Sequence, residues 1–179
     1  MLLLVRHCTS TGPDPEAPLA EAGYREAEQL ADQLAREPVD RIVSSPYRRA
    51  LETIAPLAER RGLTVQTDPR LAERWLSAEP RADWREFVQR AFEDPEARAP
   101  GGESARETLV RGWAAIQELL RAGERTIVVS HGQLLSLVLH RIDPGFGYAG
   151  WESLRNPDVF RLTGAAGRGL RFERWAPAP

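Results

Sequence analysis

A single cysteine, Cys8, and no lysine at all occur in this chain of 179 residues. One thiol cannot form an intramolecular disulfide, and nothing else in the composition points to an oxidising compartment, so the cytoplasm is the expected location. Without lysine, all 24 basic side chains are arginine. Genome composition accounts for most of them, although guanidinium forks also suit bidentate binding of phosphate. An excess of positive charge is lacking too: the net charge is −2 and the isoelectric point about 6.0, which argues against an extended nucleic-acid surface. No stretch approaches the roughly 20 apolar residues of a membrane span, and the apolar start is too short for a signal-peptide core. What remains is a chain long enough to bury one α/β core without metals or disulfides, and suited to small-molecule chemistry.

That short apolar start is the most informative stretch. In "MLLLVRHCTST" four apolar residues, Leu2 to Val5, run without alternation into Arg6 and His7. Absence of alternation predicts a strand buried on both faces, as in the centre of a parallel sheet. The carboxyl end of such a strand is where open α/β sheets bind ligands. Further along, Ala20 to Arg36 reads as an amphipathic helix, "DRIVSS" as a second strand, and "PYRRALETIAPLAERRG" as a helix with proline at its start, glycine after its end and a kink at Pro56. "LTVQTD" gives a third strand. A segment from about residue 75 to 102, with one helix across "DWREFVQRAFED", reads as a lid or insertion beside the sheet. Ser104 to Glu107 form a capping box that opens another helix. "RTIVVSHG" repeats the opening pattern, "QLLSLVLHRI" reads as a buried helix, "DVFRLTG" and "LRFERW" as a pair of edge strands, and the final "APAP" as a loose tail.

Three strand ends therefore carry polar groups: Arg6 and His7, then "SSPYRR", then Ser130 and His131. Right-handed crossovers put the carboxyl ends of parallel strands on one edge, so these groups can share a pocket. Arginines gathered near helix N-termini favour an anionic, phosphate-bearing ligand. Taken singly, a strand-end histidine or a surface arginine is more often structural; two such histidines with arginines beside them call for a joint explanation. His140, on the apolar face of its helix, reads as structural, and Ser44 and Ser45 as strand-ending and helix-capping residues.

In order, "LVRHCTST", "SSPYRRALET", "LAER", "PGGES" and "VVSHG" resemble the signature of the histidine phosphatase superfamily, the phosphoglycerate mutase-like proteins. The resemblance implies a three-layer sandwich with a mostly parallel central sheet flanked by helices, within a single domain spanning the chain. It implies that His7 is the nucleophile that accepts a phosphoryl group, that Arg6 and Arg49 (not Arg48) bind that group's oxygens, that His131 is the second histidine on it, and that Glu73 is the proton donor. Glu79 or another carboxylate of the 75–102 segment is the alternative donor. No metal and no cofactor is implied, since guanidinium and imidazole groups supply the positive charge that an in-line displacement at phosphorus requires.

The residue types suit that chemistry. A nucleophilic imidazole must be neutral, and a hydrogen bond from its other nitrogen to a backbone carbonyl would hold the productive tautomer. Like charge from a dianionic phosphate favours the protonated acid, so Glu73 can donate to the leaving oxygen and then activate water. The chain departs from the family pattern in two places. Cys8 stands where members have glycine, which would restrict the backbone if that position needed a positive φ. The asparagine that touches phosphate a few residues later is absent, leaving Thr11 and the Gly12 amide as substitutes.

The expected activity is hydrolysis of a small phosphomonoester through a phosphohistidine, of the kind acting on sugar phosphates, nucleotide phosphates, α-ribazole phosphate or phosphoprotein. The alternatives are a phosphoglycerate mutase, a catalytically impaired phosphate-binding protein, and a metallohydrolase. The last is disfavoured because the ligand spacing matches no standard metal motif.

Overall fold

The computed structural model describes residues 1–165 and 168–177. Ala178 and Pro179, the end of the "APAP" tail, lie outside the described residues. In chain order the elements are β1 (Leu2–Arg6), α1 (Glu21–Leu34), β2 (Arg41–Ser44), α2 (Arg48–Arg61), β3 (Val65–Thr67), a 3₁₀ turn (Pro69–Leu71), α3 (Trp84–Glu93), α4 (Ala105–Ala122), β4 (Thr126–Ser130), α5 (Gly132–Ile142), α6 (Tyr148–Glu152), β5 (Asp158–Ala165) and β6 (Arg168–Arg174). The strands form one sheet in the order β3-β2-β4-β1-β5-β6.

The unbroken apolar run of β1 is explained by two cores, one on each face of the sheet. Leu2 and Leu4 pack with Ile116, Leu119, Leu134 and Val138 of α4 and α5. Leu3 and Val5 pack with Leu30, Leu34, Ile54 and Leu57 of α1 and α2. β4 divides in the same way, Val128 to the first core and Ile127 and Val129 to the second. Truncating a buried leucine to alanine costs about 2–5 kcal/mol, against about 5–15 kcal/mol for a whole domain. Neither face of β1 can therefore turn polar, and the three-layer arrangement follows.

β3, β2, β4 and β1 run parallel, whereas β5 pairs antiparallel with β1 and β6 antiparallel with β5. The expected pair of edge strands is thus corrected: of the two, β6 alone is an edge, and Phe160 and Leu162 of β5 are buried against the α4–α5 core. Short segments beside the hairpin carried no periodic pattern, and α6, a helix of 5 residues, was not foreseen.

Helix ends follow local chemistry. α2 stops at Gly62, whose φ of 63° is the left-handed conformation that glycine adopts without strain. α4 opens with both arms of the Ser104–Glu107 capping box. At α2 the N-cap is Tyr47, with no side-chain cap, so neither Ser44 nor Ser45 serves as the expected cap. Among the described residues, no helix is long and apolar enough to cross a membrane.

Candidate active site

Sheet register builds the centre of the site. β1 and β4 are neighbours, with Arg6 opposite Ser130, so the next residues, His7 and His131, leave the sheet at the same level. Adjacent strands lie about 4.8 Å apart; the two imidazole rings have centroids 5.1 Å apart, edge to face. β2, on the other side of β4, brings Ser45 and the start of α2 to the same edge, the Ser45 N–H donating to the Val129 carbonyl at 2.9 Å.

His7 is held in one tautomer. Its Nδ1 lies 2.7 Å from the Cys8 carbonyl, which can only accept, so Nδ1 carries the proton and Nε2 the lone pair. Arg49 donates from Nε to that Nε2 at 3.2 Å. Burial, with Arg49 and Arg6 close by, pushes the His7 pKa down to about 3, against the opposing pull of the Cys8 carbonyl bond. The imidazole is thus neutral near pH 7, with its lone pair on Nε2 accepting from Arg49. His131, wholly buried, is likewise held far below the usual imidazole range by burial first and then by the charges around it.

Of the adjacent arginines in "PYRRA", the structure buries Arg49 and leaves Arg48 on the surface paired with Glu52. Arg49 also donates to the carbonyls of Pro13 and Asp14 at 3.1 and 2.7 Å, fastening the loop after His7 over the site. Arg6 donates to the Leu154 and Arg155 carbonyls, while its buried Nε has no partner among the described residues.

Glu73 lines the same cavity as His7. Its carboxyl oxygens accept from the backbone N–H groups of Gln133 and Leu134 in the first turn of α5 and from that of Arg74, at 2.9–3.1 Å. His7, Arg49, Glu73, Tyr47 and Gln133 share one cavity of about 720 Å³ with Gly12, Asp14 and the 74–81 segment. Gly12 lines it as expected. Thr11 does not: its hydroxyl is turned to the Pro18 carbonyl at 3.2 Å, because Thr11 and Pro18 close the loop between them. Glu79 lies on the cavity wall, and Glu73 alone of the two is bonded into α5.

Cys8 causes no strain. No non-glycine residue among those described has positive φ, so the position does not require glycine. The side chain is buried with Leu19 and Ala27, and burial raises its thiol to about 12, which makes it an inert packing residue.

Several contributors had no sequence cue. Arg111 of α4 donates to the carbonyls of Arg70, Ala72 and Glu73 and forms a two-pronged pair with Glu103, clamping the loop that carries Glu73. Glu103 lies in "PGGES", which had drawn notice only as part of the resemblance. Beside it, Gly102 permits a close approach, since a Cβ there would fall 2.1 Å from the Leu76 carbonyl oxygen. Asn156, the only asparagine in the chain, donates to the His7 carbonyl at 2.7 Å. His140, by contrast, packs edge-on against Phe92 away from the site.

Ser45 is the positioning residue for His131: its hydroxyl lies 2.7 Å from His131 Nε2 and also accepts from the Tyr47 N–H. Ser45→Ala is expected to lower kcat/KM on p-nitrophenyl phosphate about 10- to 100-fold, the range for a misplaced active-site group, while melting falls by no more than about 4–8 °C. Unchanged kinetics with an unchanged melt would show that His131 needs no such support. Among the described residues, no group of three or more His, Cys, Asp or Glu side chains is arranged to hold a metal ion.

A profile of the histidine phosphatase superfamily (branch 1) matches residues 2–175. A probable phosphoglycerate mutase of Yersinia pestis (strain Pestoides F) is 34% identical over 136 residues, 69% of this chain and 62% of that protein. The match thus spans less than two thirds of such relatives. A mycobacterial glucosyl-3-phosphoglycerate phosphatase, solved with inorganic phosphate, is similar at 26% identity and a TM-score of 0.75, over 99% of this chain and 96% of the other. A putative alpha-ribazole-5'-P phosphatase from Escherichia coli K-12 shares the fold at 21% identity and a TM-score of 0.73, over 97% and 94% of the two chains.

Proposed function

This chain belongs to the histidine phosphatase superfamily, and we propose that it hydrolyses small phosphomonoesters without a metal, by way of a phosphohistidine on His7. The observation that carries the reading is the neutral His7 imidazole, its Nδ1–H on the Cys8 carbonyl and its Nε2 beside Arg49, in a cavity that also contains Glu73.

In this reading Nε2 of His7 attacks phosphorus in line, and the bond from phosphorus to the ester oxygen breaks. Arg49, His131 and the unpartnered Nε of Arg6 stabilise the charge on the phosphoryl oxygens. Glu73 gives its proton to the departing oxygen. In the second half water attacks phosphorus, Glu73 takes a proton from it, and the bond to nitrogen breaks, returning His7 neutral and releasing inorganic phosphate.

The probable mutases among the relatives define the rival reading. A mutase must shield the phosphohistidine from water and hold a second anionic group while the substrate turns. Of the four arginines of the 80–102 segment, Arg81 pairs with Asp83, Arg90 with Asp94 and Arg98 with Glu107, while Arg85 lies over the Trp84 ring. This supports water as the acceptor. Given 3-phosphoglycerate with a trace of 2,3-bisphosphoglycerate, in the presence or absence of EDTA, the protein is expected to release inorganic phosphate faster than it forms 2-phosphoglycerate, with EDTA making no difference. Efficient isomerisation with little phosphate would establish the mutase, and activity lost to EDTA and restored by a divalent metal would establish a metallohydrolase.

A further inference from the structure

The cavity above His7 is far larger than a phosphoryl group and a short alcohol need. Its volume of about 720 Å³ lies within the range of roughly 300–1,000 Å³ of sites that enclose ligands of many atoms. Its outer wall is apolar in an unusual way. Among the described residues four large apolar side chains stay exposed, Tyr24, Trp75, Trp84 and Val110, and two of these, Trp75 and Trp84, line this one cavity. A lone exposed apolar side chain needs no explanation; two indoles on one concave wall do.

The Trp75 backbone and the Trp84 indole are both held in place by the protein itself. The Trp75 backbone is fixed on both sides to Glu103, its N–H donating to the Glu103 carboxylate at 3.0 Å and its carbonyl accepting from the Glu103 N–H at 2.7 Å. The residue nevertheless remains 47% exposed. Trp84 opens α3, braced edge-on by Trp151 at 6.0 Å and with Arg85 over its ring. The charged groups of the outer wall offer nothing to an anion. Arg81 is held by Asp83 through two hydrogen bonds. Arg74 is buried, with its guanidinium spent on the carbonyls of Glu103, Phe87 and Ala97 and on Gln133. The carboxyl side chains of Asp14 and Glu79 belong to the same cavity.

We propose that the outer half of the cavity is a subsite for a flat, uncharged ring carried by the leaving alcohol, with Trp75 as its main contact and Trp84 as the second. The substrates are then phosphomonoesters of ring-bearing alcohols rather than of short or polyanionic ones. The proposal rests on the hydrolase reading for its chemistry but on the two indoles for its selectivity. A ring covering Trp75 removes apolar surface from water and stacks on the indole face, whereas a second carboxylate or phosphate would meet Asp14 and Glu79, with the lining arginines Arg81 and Arg74 already engaged.

The test compares 2-phenylethyl phosphate with ethyl phosphate, whose leaving alcohols are of closely similar basicity, so that leaving-group chemistry does not mask binding. The phenylethyl ester is expected to show kcat/KM about tenfold or more above the ethyl ester, and Trp75→Ala should bring that ratio to about threefold or less. Calorimetry with the non-hydrolysable 2-phenylethylphosphonate and methylphosphonate checks binding without turnover, with the same preference and the same loss in Trp75→Ala expected. If both esters turn over alike and both phosphonates bind alike, the ring subsite is overturned and the hydrolase reading stands. If neither ester is hydrolysed but the phenyl phosphonate is preferred through Trp75, the hydrolase reading falls and the subsite stands. A preference that survives Trp75→Ala and Trp84→Ala together overturns the assignment of these two residues.

Discussion

Replacing His7 by alanine is expected to lower turnover of any phosphomonoester by about 10⁴-fold or more, the loss due to a nucleophile through which both proposed half-reactions pass. The same variant should accumulate no acid-labile, alkali-stable phosphoprotein when the reaction is quenched, whereas the unmodified chain should. The size of the effect follows from how completely the surroundings prepare this one ring. Burial pushes its pKa down to about 3, and a bound phosphate dianion, which stabilises the imidazolium, has to work against that depression before it can protonate the nucleophile. Arg49 and the Cys8 carbonyl fix both nitrogens, so the lone pair needs no reorientation. Label recovered on a serine, or turnover undiminished in His7→Ala, would remove His7 from the reaction. The substitution deletes a buried side chain just past the end of β1 and leaves the Arg49 Nε without its acceptor, so a melting curve run alongside separates loss of chemistry from loss of fold.

Much of this site could be read before any coordinates, for a physical reason. A strand buried on both faces has to be continuously apolar, and a run of that kind ending abruptly in polar residues, twice, marks the edge where β1 and β4 deliver His7 and His131. Arg49 was separable from Arg48 by its place in the resemblance, and the structure buries the one and solvates the other. What escaped was everything held by backbone carbonyls or by partners distant in sequence. Arg111 looks like any other surface arginine of an amphipathic helix, yet its donors go to carbonyls about forty residues away along the chain. Asn156 reaches His7 across 149 positions. Ser45 was legible as a hydroxyl at a strand end, but its bond to His131 depends on the order β2-β4-β1, which no local pattern states. β5 was misplaced to the edge for a related reason: with alternating character and no helix after it, nothing in its own residues reveals that β1 has a free side for it to fill.

Glu73→Gln is expected to have the other large effect, and one whose size depends on the substrate. With an alkyl leaving group, whose oxygen cannot depart unprotonated, kcat/KM should fall about 100-fold or more, the usual contribution of a positioned proton donor. With p-nitrophenyl phosphate, whose leaving group is stable as an anion, the fall should be clearly smaller. The geometry argues that the substitution tests chemistry rather than folding. Glu73 Oε1 accepts from the Arg74 and Leu134 N–H groups and Oε2 from that of Gln133. A glutamine can keep its carbonyl oxygen on the first pair and forfeits the bond to Gln133 alone, while the Arg111 clamp on the surrounding carbonyls is untouched. One lost hydrogen bond to a charged group is worth about 1.5–3 kcal/mol, visible as a lower melting temperature but short of unfolding a domain of ordinary stability. Hydrolysis of the phosphohistidine also requires this carboxylate as a base, so the variant should accumulate more of the covalent species from p-nitrophenyl phosphate than the unmodified chain does, a consequence that a purely binding role for Glu73 does not share. Equal losses on the alkyl and nitrophenyl esters, without that accumulation, would assign Glu73 to substrate binding and pass the proton transfer to another carboxylate of the cavity, Glu79 being the one on its wall.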